Sequence, residues 1–104
     1  MKAVIDRQEI IDNLESNIIM RNKRKLENPK CPNNTYAQFI TVGEISMLEK
    51  FGIIDESTSL KYIEMAKGRF AKEIIDMYNN KSSNENVDDL ISFYNNIKEA
   101  CNLN

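Results

Sequence analysis

Apolar positions along this chain recur at intervals of three and four, the spacing that lines up one face of a helix. From about residue 3 to 27, Val4, Ile11, Leu14 and Ile18 fall within a narrow arc, as expected of a helix that buries one stripe. Asp6 and Glu9 have the spacing of a capping box at its start. Asn28 precedes Pro29; the proline ring disfavours helical backbone at the residue before it, so the element should stop there. Residues 28–35 hold Pro29, Pro32 and the Asn33-Asn34 pair and read as a loop.

The stretch from Tyr36 to Thr41 has strand-like composition, but with no partner strand nearby it reads as an extended lead-in. Thr41 and Glu44 repeat the capping-box spacing and open a short helix over about 42–51 with Ile45, Leu48 and Phe51 inward. Gly52 stands where a left-handed C-cap is wanted. Asp55 can cap a longer helix over about 56–79, on which Leu60, Ile63, Phe70, Ala71, Ile74, Met77 and Tyr78 share a face. A polar loop follows at about 80–85. Asn86 with Asp89 then caps a last helix over about 86–101, seamed by Val87, Leu90, Tyr94, Ile97 and Cys101. The expectation is a single all-α domain, residues 1–104, of about four helices packed as a bundle or orthogonally.

Composition narrows the chemistry. The 104 residues are the size of one domain. With no His, no Trp, two Cys and three Gly, a His-based catalytic dyad, a Cys/His zinc site, a disulfide scaffold and a Gly-rich phosphate cradle are all excluded. The carboxylate pairs Asp55/Glu56, Glu73/Asp76 and Asp88/Asp89 read as first-turn or solvated charges. No enzyme activity, metal or cofactor is expected. Charges at Asp6 and Arg7 interrupt any leader-like apolar run, and no window approaches 18 apolar residues. A cytoplasmic protein with reduced Cys31 and Cys101 is therefore expected, with no membrane partner. Fourteen Asn and fourteen Ile carry the bias of AT-rich coding, which points to a low-GC bacterium or a phage or plasmid within one.

Thr41-Val42-Gly43-Glu44-Ile45 through Leu48, followed by Gly52-Ile53, Thr58 and Ile63, resembles the helix-turn-helix of excisionase-like regulators. That resemblance covers about thirty residues and implies a recognition helix from Glu56 in the major groove, with Ser57, Ser59 and Lys61 toward the bases. The chain departs from the pattern in its long stretch between Glu44 and Gly52 and in the bulky Leu48. The groove-facing set also lacks the Arg, Asn or Gln that read bases bidentately.

The net charge of −2 hides an asymmetry. Residues 1–30 carry seven bases against five acids, and the remainder seven against eleven. Arg21, Lys23, Arg24 and Lys25 are more cations than a helix C-terminus needs for its dipole, so an electrostatic contact with an acidic partner is expected there. Ile5, Ile19, Met20 and Leu26 lie outside the main arc of the first helix; that surplus suits either a central position or a homodimer through this helix. Tyr62 and Phe93 sit off their helices' stripes and are the expected anchors for a partner. The leading expectation is a small non-enzymatic helical protein that binds and modulates or inhibits a protein partner by steric occlusion, a regulator of the phage or plasmid kind. A DNA-binding regulator, with nucleic acid as its partner, is the alternative.

Overall fold

A computed structural model describes residues 6–80 and 89–102. Five helices and no strand are found among the described residues: α1 (Arg7–Glu27), α2 (Pro32–Lys50), α3 (Glu56–Ala66), α4 (Ala71–Asn80) and α5 (Asp89–Asn102). The all-α expectation holds, with one helix more than expected and two boundaries redrawn. The N-terminal extension to residue 3 and the proposed caps at Asn86 and Asp89 fall on residues or side chains outside the described set, as do 81–85 of the expected loop.

Local chemistry explains the ends. The Asp6 carboxylate accepts from the Glu9 amide at 3.2 Å and starts α1, and Asp55 accepts from the Thr58 amide at 2.8 Å and starts α3. Gly52, at φ 76°, ends α2: its amide reaches Glu49 O at 3.0 Å and the Ile53 amide reaches Leu48 O at 2.9 Å. That crossed pair is a Schellman cap.

The first correction concerns α2. Residues 32–41, expected as loop and extended lead-in, are helical, and the short helix is nineteen residues long. Pro32 occupies the first helical position, where its missing N–H would be without an intrahelical partner anyway. Its ring sets φ for the turn that follows, so the proline that looked like a loop residue begins a helix.

The second correction divides the expected 56–79 helix. Gly68 takes φ 100°, its amide bonds Met65 O at 2.9 Å, and the Arg69 amide bonds Glu64 O at 3.1 Å. This repeats the Schellman arrangement and stops α3. Phe70 follows at φ 58°, an uncommon backbone for a residue with a side chain. Its ring is held by the Arg69 guanidinium at 4.9 Å and by Tyr94 at 5.8 Å between centroids.

α1 touches α2, α3 and α4, and α3 touches α1, α2 and α5, while α5 closes over α3 and α4. The core gathers Leu14, Ile18 and Ile19 of α1 with Ile45, Met65, Ile74, Leu90 and Tyr94. Polar ties stitch the same helices together. Asn22, itself buried, donates to Met65 O at 2.8 Å and accepts from Gln38 at 2.9 Å, linking α1 to α3 and α2. The buried Glu15 carboxylate accepts from the Tyr62 hydroxyl at 2.7 Å and the Leu90 amide at 3.2 Å.

Candidate functional site

Among the described residues, the outward face of α2 and its C-cap carry five of the eight exposed large apolar side chains. The inward side of the helix is well anchored: Thr41 and Ile45 are buried, and Val42 and Leu48 pack partly against the core. The opposite side carries Tyr36, Phe39, Ile40 and Met47, continued by Phe51 at the C-cap, exposed at 63, 61, 56, 56 and 68%. At 100° per residue these positions fall within a third of the helix circumference, and at 1.5 Å per residue they run about 22 Å along it. Gly43 lies in the middle of the row. A Cβ placed on it would meet nothing within 4 Å among the described residues, so no contact among them accounts for a glycine there. In an exposed helix interior it costs about 1 kcal/mol relative to Ala.

Polar contacts hold this helix in place. Arg21 Nη1 donates to Thr41 Oγ1 at 2.6 Å, and Thr41 Oγ1 donates to Ala37 O at 2.9 Å. Lys25 Nζ donates to Pro29 O at 2.8 Å and Thr35 Oγ1 at 2.6 Å. Asn34 Nδ2 reaches Arg24 O and Asn28 O, each at 3.0 Å, tying the first turn of α2 to the end of α1. The outward apolar row is thus presented on a fixed scaffold.

The residues expected to contact a partner are distributed differently. Arg21 is turned inward, its side chain only 20% exposed and paired with Glu44 at 3.4 Å. Lys25 is half-buried and bonded to the α1–α2 connection. Lys23 and Arg24 remain exposed beside an open groove between α1 and α4. The cation cluster is therefore split, with half of it spent on joining α1 to α2. Tyr62 and Phe93, expected as surface anchors, are buried in the core at 2 and 7% exposure. Once Gly68 ends α3, its inward face is Ser59, Tyr62, Met65 and Ala66, and Leu60, expected inside, is 57% exposed. Phe93 is buried because α5 packs on both α3 and α4 and so needs a wide apolar arc.

The DNA-reading set is likewise divided. Ser57 is exposed and Lys61 half-buried beside an open groove of about 700 Å³ at the α3–α5 junction. Ser59 is fully buried and cannot face a groove of DNA. The surplus apolar positions of α1 also part company: Ile19 is in the core, Met20 and Leu26 are 38 and 43% exposed, and Ile5 lies outside the described residues.

Among the described residues no three His, Cys, Asp or Glu side chains gather as a metal site. Cys31 and Cys101 are free thiols, half-buried and exposed. Asp55 has its carboxyl held below the usual range, first by the Thr58 backbone amide, then by the Thr58 hydroxyl, with Lys61 and Arg7 adding to the effect. These groups belong to a helix cap. No described helix is long and apolar enough to cross a membrane.

Compared with protein-family models, curated proteins and solved structures, the chain matches none of them.

Proposed function

We propose that this chain is a non-enzymatic protein-binding module that docks on another protein chain through the outward face of α2. The observation that supports this reading is the row of Tyr36, Phe39, Ile40, Met47 and Phe51, each more than half exposed on one rigid helix. Water contact with apolar surface costs about 25 cal/mol per Å², so covering such a row drives association. A contiguous exposed apolar patch of this kind marks interaction sites on soluble proteins. Phe39, Phe51 and Tyr36 are the anchors, since rigid aromatics give large contact area for little lost side-chain freedom.

The surroundings of the row favour a protein over a nucleic acid. The charged residues of α2 are Glu44, Glu49 and Lys50, and a phosphate backbone needs clustered cations. An interfacial membrane helix also calls for a cationic polar face, which α2 lacks.

The test is affinity capture from nuclease-treated lysate of the natural host, using the parent chain and a Phe39→Asp/Phe51→Asp variant. Both positions are exposed, so the variant should keep the parent's far-ultraviolet circular dichroism. A protein bound by the parent and lost by the folded variant supports the reading. Equal recovery by both would contradict it.

A further inference from the structure

We propose that the occupant of the α2 face is a second copy of this chain, packed with its own α2 antiparallel across a two-fold axis at Gly43. The inference rests on the reading of α2 as a protein-docking surface and names its partner.

Three observations carry it. The first is the pairing the row allows about Gly43, with Phe39 and Met47 equidistant from it and Ile40 opposite Ser46. Counted from Gly43, the large apolar residues stand at −7 (Tyr36), −4 (Phe39), −3 (Ile40), +4 (Met47) and +8 (Phe51). A two-fold interface is self-complementary, residue i meeting j while j meets i. Antiparallel pairing about position 43 sets Phe39 against Met47 of the second copy, a favourable sulfur–aromatic match. It also sets Tyr36 beside Phe51 and Lys50 of that copy.

The second is Gly43. Its Cβ site is empty, and it sits at the point where two crossing helices come closest. A glycine there lets the backbones approach, giving a reason for a residue that weakens the isolated helix.

The third is area and charge. Aromatic side chains present roughly 150–250 Å² apiece, so Tyr36, Phe39 and Phe51 at their observed exposures, together with the somewhat smaller Ile40 and Met47, offer about 600 Å² per copy. Two copies bury roughly 1,200 Å², the lower bound for a specific stable interface. Glu44 and Glu49, at +1 and +6, fall opposite Val42 and Ala37. No like charges meet along the seam.

The experiment is sedimentation equilibrium on the full chain, with Gly43→Lys and Phe39→Asp variants. Lysine is a better helix former than glycine, and Gly43 is exposed, so the first variant should fold at least as well as the parent while blocking close approach. The parent is expected to dimerise reversibly, and each variant to weaken the dimer on the order of thirty-fold or more, as loss of an interface hot spot does. A parent chain that stays monomeric up to about 1 mM, or a folded Gly43→Lys chain that dimerises like the parent, would overturn the inference. A monomeric parent that still captures a different protein through Phe39 and Phe51 overturns the self-pairing alone. A monomeric parent with no such capture overturns both.

Discussion

The Tyr62 hydroxyl of α3 donates to the Glu15 carboxylate of α1 across 2.7 Å in the interior of the protein. The same carboxylate oxygen accepts from the Leu90 amide at 3.2 Å, in the first turn of α5. The first amides of a helix have no acceptor within it, so a side chain from α1 supplies the cap for α5. One acidic residue thus joins three helices, and its cost of burial is met by directed donors.

Tyr62→Phe keeps the ring and removes the donor. A typical intramolecular hydrogen bond is worth about 0.5–1.5 kcal/mol, and the variant should lose stability on that scale. The urea midpoint, with the slope unchanged, checks it. A midpoint equal to the parent's would mean the Tyr62–Glu15 bond contributes nothing.

Ser59 makes the opposite case. It is fully buried, and its hydroxyl has no hydrogen-bond partner among the described residues. A buried unsatisfied polar group carries a desolvation penalty of about 1–3 kcal/mol, so Ser59→Ala should leave stability unchanged or raise it by about 1 kcal/mol. A clear fall in Tm would contradict this.

Two glycines should respond with opposite signs. Gly68 holds φ 100°, and a Cβ there would lie 3.5 Å from Gln38 Nε2; Gly68→Ala should cost about 1–2 kcal/mol through backbone strain. Gly43→Ala, in an open helical position, should gain up to about 1 kcal/mol. Both are measured by thermal unfolding at low chain concentration, where association does not contribute. The same sign for both would refute the contrast.

Asp55 sets an acid dependence. Its carboxyl titrates below the usual range, chiefly through the Thr58 amide. A lowered folded pKa means a stabilising contribution that is full above the ordinary Asp pKa and is lost as pH falls through the lowered value. Asp55→Asn keeps a good cap residue but removes that titration, so its stability should fall less on acidification than the parent's. Parallel curves of urea midpoint against pH would contradict the assignment.

The parts legible in the sequence were those decided by a few adjacent residues. Asp6, Gly52 and Asp55 announce their caps because a carboxylate or a hydrogen-only side chain acts within three positions. The first half of α2 is illegible because the helix has two apolar faces. Thr41, Ile45 and Leu48 on one side and Phe39, Ile40 and Met47 on the other cancel the periodicity that signals a helix. Cys31 adds no side-chain cap to mark its start. Tyr36, Phe39 and Ile40 of the candidate site stand in what reads as a lead-in, and Phe51, expected inward, is 68% exposed. Gly68 gives no stop signal to the pattern because the apolar spacing continues across it. Treating α3 and α4 as one helix shifted the phase, which turned Leu60 inward and left Tyr62 outside, the reverse of what packing shows.

The account turns on whether α2 meets another protein chain, and site-specific photo-crosslinking reads that contact directly. A benzophenone side chain placed at position 39 on α2 is compared with one at position 95, an exposed Asn on α5, both in chains shown to be folded. The account predicts an adduct at position 39 whose mass is that of two chains, with none at position 95. Equal or absent adducts at the two positions would contradict it.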